Sequence, residues 1–339
     1  GVWIMAYTDI DDPSAYFQTK LYTGNGGTNA ITFDGNSDLQ PDWVWIKNRT
    51  LSGGYAHNLF DSVRGTNKKL VTNDTRAETS ETNGLNSFNS DGFTLGEDSG
   101  TEEVNRDGGV QVSWNWKKSA DAGFDIVSYT GNATARTISH SLSAVPAWMI
   151  IKCRSEDGHS WKVYHKSIGA TKTLALQNNG APDDDANYHG DTEPTSSVFT
   201  IGSNGDVNDN GETFIAYLFA EKQGFSKFGS YIGNGQADGT YVHLGFSPAW
   251  IMRKKTSGTE NWTIHDNKRD THNVTFKRLL ANDNGAEYDS ASNQVDLLSN
   301  GFKCRASNDG GNADDGQYIY MAFAEQPFVT STGVPATAR

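Results

Sequence analysis

The chain has 339 residues, 36 of them glycine, with 11% aromatic residues and a net charge of −13. That length has room for two or three domains with cores of their own, and the aromatic content argues against disorder. The acidic balance excludes nucleic acid as the main partner, because phosphate binding needs a basic surface. Apolar runs also fall short of the roughly 18 residues of a membrane-spanning helix, so no membrane insertion is expected.

The chain opens Gly1-Val2-Trp3 with no Met and no basic n-region. It therefore reads as lacking a signal peptide, as a processed product or a piece of a longer chain would. Residues 1–20 read as a lead-in, with Asp11-Asp12-Pro13 turning into the first strand. From there a set of landmarks recurs in fixed order. Tyr22-Thr23-Gly24-Asn25 returns as Tyr129-Thr130-Gly131-Asn132 and as Tyr231-Ile232-Gly233-Asn234. A Pro-x-Trp strand start follows each, at Pro41-Asp42-Trp43, Pro146-Ala147-Trp148 and Pro248-Ala249-Trp250, with Lys47, Lys152 and Lys254 six residues after the Pro. A short second strand comes next, ending at Asp61, His165 and Asp266. A Leu-bearing strand then runs to Asn73, Asn178 and Asn282, and a Phe strand holds Phe93, Phe199 and Phe302. An aromatic strand closes each copy, at 111–116, 214–219 and 318–323.

Six landmarks repeated three times in one order mean tandem duplication. A unit of about 100 residues is too long for a solenoid repeat and suits a complete β-sandwich. The expected architecture is all-β, three tandem β-sandwich modules with little helix, over 21–120, 121–224 and 225–328. The tail 329–339 has no period and should be extended. Cys153 and Cys304 fall at non-equivalent places in different modules, which favours two buried thiols over a disulfide.

Chemistry-bearing motifs are sparse. Asp206-Val207-Asn208-Asp209-Asn210-Gly211 matches the first six positions of an EF-hand loop, but its twelfth position is Tyr217 inside a strand, so the EF-hand is rejected. Asp206, Asn208 and Asn210 remain candidate calcium ligands of another kind, and no other cofactor is expected. Asp183-Asp184-Asp185 reads as a solvated tip. No nucleophile elbow, zinc-protease motif or phosphate loop occurs, so no catalytic residue is assigned and the chain is not expected to be an enzyme. The repeated Trp43, Trp148 and Trp250 read as core anchors against the opposing sheet. Lys47, Lys152 and Lys254 read as residues protecting a strand edge or capping the core. The unrepeated Tyr55, His57, Tyr188, His189 and Tyr288 lie in loops rich in Asp, Asn and Gly, a composition suited to holding a sugar, and are the candidate binding residues.

Several of these segments resemble a family of virion proteins from marine tailed phages, cyanophages included. The resemblance rests on Tyr22-Thr23-Gly24-Asn25-Gly26, Pro41 to Arg49, Leu59 to Gly65, Leu298 to Lys303 and Tyr320 to Glu325 with the closing Ala338-Arg339. It implies a concanavalin-type or SPRY-like jelly-roll sandwich. It also implies a virion structural protein, made in the host cytoplasm and carried on the particle surface. The expected role is a tail-fibre or appendage component displaying loops to host cell-surface glycans. Its expected partners are other virion proteins, and fibre symmetry suggests a homotrimer, although three modules in one chain could form a pseudo-threefold unit by themselves. The alternatives are a capsid decoration protein without a receptor and, more distantly, a polysaccharide depolymerase.

Overall fold

The computed structural model describes residues 7–51, 55–98 and 103–336. Strand takes up 41% of it and helix 3%, as a turn-rich sequence poor in helix formers dictates. The first copy contains β1 (Phe17–Thr23), β2 (Asn29–Ile31), β3 (Trp43–Asn48), β4 (Asn58–Asp61), β5 (Lys68–Val71), β6 (Thr79–Ser80), β7 (Leu85–Asn89), β8 (Gly92–Leu95) and β9 (Val110–Trp116). The second contains β10 (Phe124–Thr130), β11 (Arg136–Ser139), β12 (Trp148–Cys153), β13 (Lys162–His165), β14 (Lys172–Ala175), β15 (Asp183–Asp184), β16 (Val198–Ile201) and β17 (Thr213–Phe219), with the short helices α1 (Ala186–His189) and α2 (Gly205–Asn208). The third contains β18 (Ser226–Ile232), β19 (Tyr241–His243), β20 (Phe246–Lys255), β21 (Thr263–Asp266), β22 (Lys277–Leu280), β23 (Tyr288–Asp289), β24 (Val295–Leu298), β25 (Gly301–Cys304) and β26 (Gln317–Pro327).

Each copy forms a six-stranded sheet with one topology. The orders are β1-β9-β3-β4-β5-β6, β10-β17-β12-β13-β14-β15 and β18-β26-β20-β21-β22-β23, all antiparallel. A small sheet backs each one: β2-β8-β7, β11-β16 and β19-β25-β24. The chain is all-β and sandwich-type. Its first strand opens at Phe17, inside the segment read as a lead-in, after a 3-10 turn at Pro13–Ala15 whose cap is the Asp12 side chain.

Strand alternation divides the hydrophobic residues between two cores. In β3, Val44 and Ile46 face the small sheet and pack with Phe93 and Leu95. Trp43 and Trp45 point the other way, into a cluster shared by all three modules. In β12, Met149 and Ile151 make the local core while Trp148 and Ile150 join the shared one. The recurrent Trp43, Trp148 and Trp250 are therefore core anchors, but they face the neighbouring modules and not the opposing sheet of their own sandwich.

The shared core has an approximate threefold axis. Trp116, Phe219 and Phe323 hold one position in the three closing strands, opposite Trp43, Trp148 and Trp250 respectively. Their rings meet pairwise, with centroids 6.5 Å, 5.6 Å and 5.8 Å apart. Trp116 also meets Trp250 edge-on at 5.6 Å, and Trp43 stacks on Tyr217 at 4.9 Å. Three sheets thus pack their aromatic faces together, and their small sheets lie on the outside.

The Tyr-x-Gly-Asn motif is a clasp at the outer end of each module. The hydroxyls of Tyr22, Tyr129 and Tyr231 donate to the carbonyls of Val104, Val207 and Gly311, each at 2.7 Å. The motif's Asn25, Asn132 and Asn234 donate their backbone N–H to the side-chain oxygens of buried Asn105, Asn208 and Asn312 at 3.2 Å, 2.9 Å and 3.1 Å. Gly is required between them because a Cβ would overlap the carbonyl of Arg106, Asp209 or Ala313. The two cysteines are buried and free.

Candidate functional site

Three seams join the modules, and equivalent residues build each one. Trp161 and Trp262 occupy one position, immediately before β13 and β21, and each donates its indole N–H to a neighbouring module's strand. Trp161 Nε1 reaches Val71 O at 2.9 Å, and Trp262 Nε1 reaches Ala175 O at 3.0 Å. His57 holds this position in the first module and lies against the equivalent backbone of Leu280, without a close hydrogen bond from its Nε2. Its Nδ1 accepts from Trp45 Nε1 at 2.9 Å.

The repeated lysines cross the same seams. Lys152 Nζ donates to Thr75 O at 3.1 Å, Lys254 Nζ to Asn179 O at 3.3 Å and Lys47 Nζ to Asn284 O at 3.4 Å, each a carbonyl of the next module. Each also holds a carbonyl of its own module, His159 O, Lys255 O or Asn48 O. Burial pushes all three ammonium groups down to about 8. The edge-protecting role expected for them is corrected here. β3 lies between β9 and β4, and the equivalent strands are likewise central, so no free edge exists there.

Two of the seams carry a buried chain of alternating charge. Between the first and second modules it runs from Asp61 to Arg64, on to Glu78 at 3.1 Å, and then to Arg154, which grips Glu78 bidentately at 3.0 Å and 3.1 Å. Tyr217 caps it, its hydroxyl donating to Asp61 at 2.6 Å. Between the third and first modules, Asp266, Arg269, Glu287 and Arg49 repeat the pattern, with Arg49 bidentate on Glu287 at 3.0 Å and 2.8 Å. Trp114 Nε1 caps that chain at Asp266 at 3.0 Å. A backbone bond zips each chain closed, Glu78 N to Arg154 O at 2.7 Å and Glu287 N to Arg49 O at 2.8 Å. In the third seam the equivalent residues are His165, Ile168, Pro182 and Thr256. Sequence reading singled out only the first of these positions, Asp61, His165 and Asp266 at the end of the second strand. The signal was present, since two copies agree in charge and the third departs at all four.

The expected binding residues do not gather into one site. His57 and His189 are buried, and burial holds the first imidazole well below its ordinary pKa and lowers the second to about 4. Tyr188 is also buried, with Lys162 Nζ 4.0 Å from its ring centroid. These three are corrected from exposed binding groups to packing residues: α1 folds Tyr188 and His189 inward, and His57 lies in a seam against the rings of Trp45 and Trp114. Tyr288 is exposed beside the Arg278 guanidinium, and Tyr55 is half-buried with Arg106 donating to its hydroxyl.

The expected calcium trio also does not converge. Asn208 is buried in the clasp, its amide donating to Thr134 O and Gly202 O. Asn210 is exposed in the following turn. Asp206 accepts from Ser160 N at 2.8 Å and pairs with Lys162 at 3.3 Å. A different group assembles beside it. His159 Nε2 faces Glu156 at 3.2 Å and Asp209 at 3.8 Å, while its Nδ1 faces Asp206 at 3.6 Å. Glu156, His159 and Asp209 could hold a divalent cation, and one nitrogen with two oxygens suits zinc better than calcium.

A family described as a domain of unknown function, DUF7483, matches residues 12–327. The chain belongs to that family. The match begins at the Asp12 cap and ends at Pro327, the last residue of β26, so the DUF7483 domain takes in all three modules and their shared core. A search of curated proteins returns no match.

Proposed function

We propose that this DUF7483 protein is a structural component of a phage virion, carried on a tail fibre or other external appendage, whose loops meet glycans of the host surface. The observation that carries the reading is where its chemistry-bearing side chains go. Asp61, Arg64, Asp266, Arg269 and the repeated lysines are buried in seams and hold modules together. What faces outward is a set of loops that differ between modules, on a scaffold that repeats. Rigid repeated scaffolds with divergent loops are built for recognition and assembly, and no catalytic role is part of this reading. The resemblance to marine phage virion proteins supplies the particle and its surface as the setting. Other virion proteins are its proposed partners. One chain already completes the threefold core, so a homotrimer would assemble through outer surfaces.

Two measurements test the reading. Labelled antibody against the chain should decorate the appendages of intact particles in electron micrographs, and the purified chain should bind host cells. Label on the capsid with no cell binding would favour a decoration protein instead. Release of reducing ends from host polysaccharide would favour the depolymerase.

A further inference from the structure

We infer that the seam between the second and third modules is a binding cleft for a neutral oligosaccharide. This rests on the glycan-recognition reading above and adds to it a place and a ligand class. The other two seams are filled by an arginine from one module and a glutamate from the next. Here Thr256 stands in the place of Arg49 and Arg154, and Pro182 in the place of Glu78 and Glu287. Proline has no backbone N–H, so it cannot make the bond that Glu78 and Glu287 give to the neighbouring strand end. Ile168 replaces the second arginine, and buried His165 replaces the aspartate that would anchor it.

The space left is a cleft of about 510 Å³, within the usual range of ligand sites. Its walls carry what a neutral sugar needs. Ser167, Ser230, Thr256 and Gln317 offer hydroxyl and amide groups, and Ile168 and Ile232 offer aliphatic faces for the sugar's C–H side. The arginine, glutamate and aspartate that fill the other seams are all missing from it. Lys172 is the one charged residue among those lining the cleft, and its cross-strand neighbour in β15 is the exposed Asp184.

The test restores the missing pair. A Pro182→Glu, Thr256→Arg double variant should close the cleft with the ion pair the other seams already have, keeping the melting temperature at or above that of the parent. Both proteins are applied to an array of neutral oligosaccharides (malto-, cello- and manno-series) and of sialylated and uronate oligosaccharides. The parent should bind a neutral series, insensitively to salt, and the double variant should bind it about tenfold or more weakly. Equal binding by both overturns the cleft while leaving glycan recognition standing. Binding confined to acidic sugars, weakened by salt and by Lys172→Ala, overturns the ligand class. If no glycan binds, the recognition reading falls and the inference falls with it.

Discussion

At the scale of single residues, tryptophans of one chemical type divide into two kinds. Trp161 and Trp262 place their N–H on a carbonyl across a seam, whereas Trp43, Trp148 and Trp250 have no protein acceptor for theirs. Trp161→Phe leaves the carbonyls of Val71 and Asp74 without their donor and should lower stability by about 1–3 kcal/mol. Trp148→Phe removes a donor that has no partner, so its cost should be confined to the lost ring volume. Urea titration of both variants checks this, and equal losses would contradict the division. Legibility at this scale was uneven. Trp43 was recognisable as core because it recurs beside Pro in every copy. His57 aligns in sequence with Trp161 and Trp262, but a histidine beside a Gly-rich loop reads equally well as a binding group, and its burial depends on a neighbouring module that the sequence does not place.

Among elements, the two charge chains do what a hydrophobic seam cannot, since they fix register along the joint. Glu78 sits between Arg64 and Arg154 with little exposure. Glu78→Gln leaves two guanidinium groups facing a neutral amide, and an uncompensated buried charge is costly. The expected loss is about 2–4 kcal/mol, discounted for the partial exposure of Arg154. Glu260→Gln, on the third seam where no chain exists, should change stability little. Thermal unfolding of the two variants side by side measures the difference, and a similar shift in both would remove the special role of the chain.

At the scale of the whole molecule, four imidazoles are sealed among the described residues. Burial holds His57 and His265 well below the ordinary histidine pKa and lowers His165 to about 3 and His189 to about 4. The folded protein keeps them neutral, while the unfolded chain takes up protons near 6.5. Their contribution to stability is therefore complete above about pH 6.5 and is lost as pH falls from there toward the folded values. Each can add up to about 1.4 kcal/mol per pH unit to the slope. Melting temperature should fall steeply from about pH 6.5 to about pH 4.5, and a flat profile would contradict the burial of these rings. The shared core also sets cooperativity. Residues 121–224 by themselves would expose Trp148, Trp161, Tyr217 and Phe219, so that fragment should fail to unfold cooperatively in calorimetry, while residues 12–327 should melt in one transition. A folded, cooperative fragment would mean that the local core is sufficient.

The sequence by itself determined the strands, the turns and the threefold duplication, because these depend on local chemistry: alternation, Pro and Gly placement and the tyrosine clasp. It also held the departure of the third seam, written as Ile168, Pro182 and Thr256 against two charged copies. Only the tertiary structure decided that the modules share one aromatic core and that Lys47 reaches Asn284, 237 positions away. Those contacts join residues whose neighbours in sequence say nothing about them. Burial is a property of the packed molecule, so the same histidine that looks like a ligand in a loop becomes a neutral packing ring once α1 turns it inward.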